Sequence, residues 1–205
     1  ARYYPTYAEF EPIDKQNPKP YEKQPIQLVP LKEDGTADIN AFSTDFSEEY
    51  LADKRNPRWI AKPTVAYLWA RAVTCKNCRA TVPLLKTRWL CKKDKKRVLL
   101  TMEPIADNSG VVFGIDSNVP VKGGNTAQRR EHDKRIGAGT MTRSGVKCPC
   151  CPAIMTMEDI RLEGQAGRLG AILTAVVVDG KKGKEYRLPT YNELHFPDTA
   201  GIELS

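Results

Sequence analysis

Six cysteines give this chain its clearest capacity for chemistry, and four of them fall into two pairs. Cys75 and Cys78 form one C-x-x-C pair, and Cys148 and Cys151 form a second. Two intervening residues allow both sulfurs to point into one tight turn, called here a knuckle. Two knuckles supply the tetrahedral four-sulfur geometry that Zn²⁺ prefers in structural sites. The sequence therefore predicts one structural Zn²⁺ bound by Cys75, Cys78, Cys148 and Cys151.

The distance between the two pairs is long for such a site. About 70 residues separate them, whereas about 15–20 separate the pairs of compact zinc ribbons. Residues 79–147 are therefore expected to form an insertion between the knuckles. A redox-active pair, buried free thiols and an iron–sulfur cluster are the alternatives. A filled four-sulfur site has no open position for water, so its expected role is structural rather than hydrolytic.

Cys91 and Cys150 lie outside this arrangement. Cys91 follows Trp89-Leu90 and is expected to be a small buried apolar residue. Cys150 lies inside the second knuckle, where geometry favours Cys148 and Cys151 as the ligands. A coordination shared by Cys91 and Cys150 is the alternative.

A cation-rich segment follows the first knuckle and is the second candidate for function. Trp69 and Trp89 lie among its cations, and a flat hairpin with cations and aromatic residues is a common platform for phosphates and bases. The alternative is that both tryptophans are core residues and the lysines only keep a hairpin tip soluble. The predicted nucleic-acid contacts are Arg79, Lys86, Arg88, Lys92, Lys93, Lys95, Lys96 and Arg97.

The charge distribution favours a polyanionic partner for the later part of the chain. The 205 residues carry a net charge of +7. Residues 1–60 hold 8 Lys/Arg against 11 Asp/Glu, a balance of −3, so the remainder carries +10. A basic region of that size indicates nucleic acid first, and a solvated surface that binds nothing is the alternative.

Composition and cysteine usage predict a cytoplasmic protein. No apolar run reaches the ~18–20 residues that a membrane span needs. The first residues contain no apolar segment typical of a signal peptide, and a start at Ala1-Arg2 suggests a processed chain or a segment of a larger protein. The cysteines are clustered, whereas those of a secreted disulfide framework are usually spread along a small domain.

Composition shifts predict three regions. Residues 1–62 are expected to form an extended arm rich in proline and tyrosine, with one helical turn at 47–51. Residues 63–190 are expected to form a zinc-ribbon domain that contains the basic insertion 79–147. Residues 191–205 are a C-terminal tail or the start of a following element. The predicted fold class is mostly β (α+β), with one short helix after the second knuckle.

Local patterns predict the elements within these regions. The charged run 92–96 is typical of a hairpin tip, and residues 116–138 are expected to be a mobile loop with a helical turn. Thr156 and Asp159 resemble a capping box that starts a helix ending near Glu163. The predicted β segments are 80–90, 98–102 and 110–115, followed by a hairpin of 171–178 and 185–188.

No catalytic arrangement is apparent in the sequence. His132 and His195 are the two histidines, and neither has neighbours typical of a catalytic triad. The glycine-rich stretches 137–139 and 164–170 neither follow a strand nor open a helix, as a dinucleotide-binding loop would. Asn56-Pro57-Arg58-Trp59 is interpreted as a turn. The chain alone is therefore expected to be non-catalytic, and a free-standing enzyme is the least favoured alternative.

Several motifs together resemble the large bacterial and archaeal adenine-specific DNA methylases that carry an inserted zinc ribbon. The resemblance covers about residues 62–190. The matching stretches are Val65–Arg71, the Cys75/Cys78 pair, Val82–Leu85 running to Trp89-Leu90, Gly139-Thr140, the Cys148/Cys151 pair, Ile160–Gly164 and Ala166–Ala171. Pro152 stands where a glycine commonly follows such a knuckle.

The resemblance implies a parent enzyme that methylates adenine N6 in DNA with S-adenosylmethionine, in phage defence or restriction-modification. It also implies that the ribbon is an accessory insertion whose partners are DNA and the methylase catalytic domain, in cis or on another subunit. The family's Asp-Pro-Pro-Tyr motif and glycine-rich cofactor motif are absent from these 205 residues. No catalytic residue is therefore assigned, and S-adenosylmethionine is expected to bind only the parent enzyme. A structural or protein-docking module without nucleic-acid contact is the alternative.

Overall fold

The computed structural model describes residues 4–42, 46–93, 95–181 and 183–195. Strands account for 41% of the structure and helices for 16%, which confirms the predicted mostly β class. The described elements are β1 (Thr6–Pro12), β2 (Gln27–Leu28), α1 (Glu48–Ala52), β3 (Pro57–Thr74), β4 (Thr81–Pro83), β5 (Trp89–Lys93), β6 (Lys96–Pro104), β7 (Val111–Asp116), α2 (Thr126–Ile136), β8 (Gly145–Lys147), β9 (Ile154–Thr156), α3 (Met157–Gln165), β10 (Gly170–Gly180), β11 (Gly183–Arg187) and α4 (Tyr191–Leu194).

These elements divide into two compact units. The first combines the described residues up to Ala66 with Val177–Glu185, and the second combines Tyr67–Val176 with the described residues from Tyr186 onward. Strands β3, β10 and β11 each contribute residues to both units. Within the described ranges, no helix has the length and apolar character needed to cross a lipid bilayer.

The first unit is organised around β1, which lies within the segment predicted to be an extended arm. β1 pairs antiparallel with the start of β3, from Thr6 opposite Pro63 to Pro12 opposite Pro57. Its strands follow the order β11-β10-β3-β1-β2. The prolines lie at the ends of the paired stretch, where a missing backbone donor costs least. The helical turn predicted at 47–51 is confirmed as α1, whose N-cap hydroxyl Ser47 accepts from the Tyr50 amide at 3.2 Å.

Lys62 is a buried charge of the first unit. Its side chain is 3% exposed, and its Nζ lies 2.8 Å from Glu9 Oε2, 2.9 Å from Glu11 Oε1 and 2.8 Å from Glu185 Oε2. Burial alone would lower the pKa of Lys62, but hydrogen bonds to the carboxylates outweigh it and raise that pKa. Burial likewise opposes ionisation of Glu185, and the Lys62 hydrogen bond still holds the pKa of that carboxyl below its ordinary value. The ion cluster therefore joins β1, β3 and β11.

The second unit contains a three-stranded meander and a small hairpin. β5 and β6 pair with Lys93 opposite Lys96, and β6 pairs with β7 from Leu99 opposite Asp116. The hairpin tip predicted at 92–96 and the strands predicted near 98–102 and 110–115 are confirmed. β8 and β9 form the small hairpin, and the end of β3 pairs with β4. The core of this unit consists of Val73, Cys75, Ala80, Val82, Val146, Cys148, Met155 and Ile160.

Of two helices in the second unit, one was predicted correctly and the other only in part. The capping box predicted at Thr156 is confirmed, since its hydroxyl accepts from the Asp159 amide and the Asp159 carboxylate accepts from the Thr156 amide. The prediction of a loop with one helical turn at 116–138 was wrong in part, because Thr126–Ile136 forms an eleven-residue helix, α2. Its sequence lacks the apolar periodicity by which helices are usually recognised.

Replacing Lys62 by methionine is expected to destabilise the folded chain by about 3 kcal/mol, because three carboxylates lose a buried counter-charge. Chemical denaturation in urea measures the loss. The folded pKa of Glu185 lies below its unfolded value, so this stabilisation exists above the unfolded pKa and disappears as the pH falls. The loss should therefore shrink on acidification.

Lys15→Met is the matched control, since Lys15 also pairs with Glu11 and Glu185 but its side chain is 52% exposed. Its cost should stay below about 1 kcal/mol. Equal, pH-independent losses in the two variants would contradict a special role for the buried lysine.

Candidate metal centre and basic surface

The two knuckles are built in the same way. The Cys75 amide donates to the Ala80 carbonyl at 2.8 Å, and the Cys148 amide donates to the Ala153 carbonyl at 3.0 Å. In each knuckle, the backbone amide of the first cysteine donates to the carbonyl of the residue five positions later. The first knuckle connects β3 to β4, and the second connects β8 to β9. Two short antiparallel pairs therefore position the four thiols.

The residue after each second cysteine differs between the knuckles. Arg79 follows Cys78 with a φ of 66°, in the left-handed region that favours glycine. Pro152 follows Cys151, and its ring fixes φ near −65°. The Cys148–Ala153 hydrogen bond forms nevertheless. Pro152 therefore changes the local backbone without preventing the turn.

The four thiols lie close enough to share one metal ion. All four sulfurs lie within 4.8 Å of one another. Cys75 Sγ is 3.7 Å from Cys151 Sγ, and Cys78 Sγ is 3.6 Å from Cys148 Sγ. A tetrahedral site with Zn–S bonds of about 2.3 Å has sulfurs about 3.8 Å apart. The cluster could therefore hold a metal ion with little rearrangement.

The thiols differ in how readily they ionise. The Asn77 side chain, followed by the Ala153 backbone, lowers the pKa of Cys151 to about 6 by hydrogen bonding. Burial raises the pKa of Cys148 above its ordinary range. Because metals bind thiolates, a bound cation must displace the proton of Cys148. The site is thus best filled by an ion that binds sulfur strongly.

The remaining cysteines have other surroundings. Cys150 Sγ donates to the Gly110 carbonyl at 3.1 Å, which links the second knuckle to the turn before β7. Cys91 lies half-buried in β5, and burial, with a further contribution from Cys91, raises the pKa of Tyr186. Neither thiol belongs to the group of four among the described residues.

The eight cations predicted to contact nucleic acid fall into two sets. Arg88, Lys96 and Arg97 are buried or half-buried. The Arg88 guanidinium donates to the carbonyls of Ile136 at 2.7 Å and Ala138 at 2.8 Å. The exposed cations are Arg79, Lys86, Lys92, Lys93 and Lys95.

Asp133 is the centre of a polar cluster that attaches α2 to the β5–β6 hairpin. Its carboxylate pairs with the Arg97 guanidinium and lies 3.3 Å from Lys92 Nζ. The Arg97 hydrogen bond holds the pKa of Asp133 below its ordinary range. The Asp133 carbonyl accepts from Trp89 Nε1 at 3.0 Å, and the Arg97 guanidinium lies 4.7 Å from the Trp89 ring centre. We call these four residues the Asp133 cluster.

The two tryptophans near the cations have different environments. Trp89 is held in the Asp133 cluster, and a side chain at Gly137 would collide with its indole, since an added Cβ would lie 2.1 Å from Nε1. Trp69 on β3 is 59% exposed. Of the two, only Trp69 offers a largely free aromatic surface.

A set of cations on α2 is not among the predicted nucleic-acid contacts. They follow the capping box formed by Asn125 and Gln128, a pattern that would have indicated a helix start. Because α2 is attached to the hairpin, its cations add to those of the hairpin tip. The exposed cations of α2 are Arg129, Arg130, Lys134 and Arg135.

Comparisons with protein-family models, with curated proteins and with solved structures found no match to this chain.

The purified chain is expected to bind one metal ion, and Cys→Ser at any of the four clustered cysteines should abolish that binding, because three sulfurs leave an open and weaker site. Elemental analysis measures the stoichiometry. Substitution with Co²⁺ should give the thiolate charge-transfer and ligand-field bands of a tetrahedral four-sulfur site. Cys91→Ser is the control and should retain the metal. Loss of the metal from the Cys91 variant, or retention of the metal by a variant of one of the four clustered cysteines, would refute the assignment.

Replacing Asp133 by asparagine is expected to destabilise the metal-loaded chain by about 3 kcal/mol, since Arg97 would remain buried without a counter-charge. Urea denaturation measures the total effect, and amide hydrogen exchange should show the largest loss of protection in α2. Glu131→Gln, an exposed neutralisation on the same helix, should change stability by less than about 0.5 kcal/mol. Unchanged protection of α2 in the Asp133 variant would contradict this role.

Proposed function

We propose that the chain is a zinc-binding accessory module that contacts DNA within an adenine-N6 DNA methyltransferase system. The metal assignment follows from ligand chemistry. Four thiolates in a tetrahedral arrangement favour Zn²⁺ or an iron–sulfur centre over hard cations. Knuckles joined to short antiparallel strands are typical of zinc ribbons, and all four positions are occupied by protein, so the ion has a structural role.

The observation that carries the DNA-binding proposal is a basic surface made by the β5–β6 hairpin and α2. The Asp133 cluster joins these elements, and within α2 Glu131 is the one exposed acidic residue. A rigid group of cations attracts phosphates, and its affinity depends on salt through counterion release. We define the basic face as Lys92, Lys93, Lys95, Arg129, Arg130, Lys134 and Arg135.

The role of Arg97 and Arg88 in this proposal is indirect. Arg97 is 9% exposed and pairs with Asp133, so it holds the hairpin and helix together rather than reaching a ligand. Arg88 similarly satisfies two carbonyls at the end of α2. Phosphate contacts are assigned to the exposed cations.

The link to a methyltransferase rests on the sequence resemblance. The chain lacks the family's catalytic and cofactor motifs, so methyl transfer and S-adenosylmethionine binding are assigned to a catalytic domain in cis or on another subunit. The module would then add DNA affinity or target recognition to that domain.

Triple replacement of Lys93, Lys95 and Arg130 by alanine is expected to weaken binding to a labelled duplex DNA and to lower the slope of log K against log salt by roughly 2–3. Fluorescence anisotropy across a salt series measures both quantities. The control removes the same charge from exposed lysines of the first unit, Lys23, Lys32 and Lys54, and should keep the wild-type slope. Absence of DNA binding by the wild type at low salt would overturn the proposal.

A protein-docking role is the second candidate, favoured by an aromatic cluster in the first unit. Phe10 lies 5.2 Å from Trp59 and 6.1 Å from Phe46, measured between ring centres. Phe42 lies 5.4 Å from Trp59. These four rings are partly exposed, and aromatic residues are enriched at protein interfaces. Recovery of a methylase catalytic domain in a pull-down, unaffected by the basic-face variant, would favour this candidate.

A further inference from the structure

α2 is a helix whose formation is not explained by burial of an apolar face. The side chains from Thr126 to Glu131 are all exposed, and in the second half Asp133 alone is buried while His132 and Ile136 are half-buried. Helices in proteins usually gain most of their stability from packing an amphipathic face. An ordered helix with so little buried surface suggests that its exposed side serves a partner.

The ends of α2 account for its order. At the start, the Asn125 side chain accepts from the Gln128 amide at 2.9 Å, and the Gln128 side chain accepts from the Asn125 amide at 3.0 Å. At the end, Asp133 is held in its cluster and Arg88 binds the Ile136 carbonyl. The helix is thus attached to the hairpin by its C-terminal half, and its N-terminal half is exposed on every side.

One flank of α2 is basic. At about 100° per residue, Arg130 and Lys134 lie one turn apart, about 60° and about 100° around the helix from Asp133, with the small Ala127 one turn before Arg130. Glu131 and Arg135 lie on the side opposite Asp133, and Arg129 lies on the same side as Asp133 and Ile136. An exposed arginine and lysine on one side of a helix complement a polyanion and can donate to base edges as well as to phosphates.

The dimensions of an exposed helix favour one class of polyanion. A helix with side chains is about 10–12 Å across, and the B-form DNA major groove is about 12 Å wide. The major groove of A-form RNA is too deep and narrow for such an element. Duplex DNA therefore fits α2 better than duplex RNA.

We infer that α2 enters the major groove of duplex DNA, where Arg130 and Lys134 reach base edges while Lys93 and Lys95 of the hairpin contact the phosphate backbone. This inference rests on the proposed DNA-binding function and adds the groove and the contacting side chains. The Asp133 cluster fixes the angle between groove-entering helix and phosphate-binding hairpin.

The test compares two duplexes of identical sequence that differ only in the major groove. One contains ordinary cytosine, and the other contains glucosylated 5-hydroxymethylcytosine, whose sugar fills that groove. The wild-type, metal-loaded chain should bind the glucosylated duplex about tenfold more weakly. A duplex RNA of the same sequence should also bind more weakly than the unmodified DNA.

Two matched variants separate groove contacts from phosphate contacts. R130Q/K134Q should lose the discrimination between the two DNA duplexes, and K93Q/K95Q should weaken binding to both by a similar factor. Glutamine keeps a good helix former in α2, and hydrogen exchange confirms that the helix persists in the variant.

The outcomes distinguish this inference from the function on which it rests. Equal binding of the wild type to both DNA duplexes, or binding to RNA as tight as to DNA, would overturn groove entry and leave DNA binding intact. Discrimination that survives R130Q/K134Q would overturn the assignment of these side chains. No binding to any duplex at low salt would remove the proposed function itself.

Discussion

The second unit depends on four thiols that must share a space within 4.8 Å. Ionised sulfurs at these distances repel one another, and protonated thiols form only weak hydrogen bonds. A cation resolves the conflict because it makes four thiolates mutually compatible. Cys75 and Cys148 belong to the core of the unit together with Val82, Val146 and Met155, and Cys78 and Cys151 pack against this core. A metal ion bound by these thiols would therefore stabilise the same two strand pairs as the apolar packing does, β3 with β4 and β8 with β9. The two-stranded β8–β9 hairpin would be marginal without such support.

The insertion between the knuckles is organised by a different interaction. Its cations repel one another, and α2 contributes almost no apolar surface. Asp133 compensates by accepting from Arg97 and Lys92 at one buried position, with Trp89 covering the arginine. A single carboxylate thus permits a hairpin and a helix, both rich in cations, to lie side by side. The buried Arg97 therefore fixes geometry, and the proposed function assigns ligand contacts to the exposed cations.

The parts of this structure that the sequence predicted are those encoded by short-range patterns. The C-x-x-C pairs, the charged hairpin tip at 92–96 and the Thr156 capping box each depend on residues within a few positions of one another, and each is found in the structure. Nothing in residues 6–12 predicted β1, because its partner lies some fifty residues later, at Pro57–Pro63. α2 was missed because helix prediction relies on apolar periodicity. Arg97 points inward because it pairs with Asp133, which lies 36 residues later in the chain. Counting cations in the sequence therefore could not distinguish buried structural charges from exposed ones.

The order of these elements along the chain couples the proposed metal to the proposed DNA surface. The whole basic face lies between the knuckles, in a segment of about 70 residues whose ends meet at the four-thiol cluster. Closing a flexible loop of that length costs about 4 kcal/mol of chain entropy, in addition to the repulsion among its cations. In the proposed function, the metal offsets the first term and phosphates offset the second. When both ligands bind as proposed, they stabilise the same folded state, and thermodynamic linkage then requires that each increase the affinity for the other to the same extent. A closed structural site can in this way influence DNA binding without any direct contact between the metal and DNA.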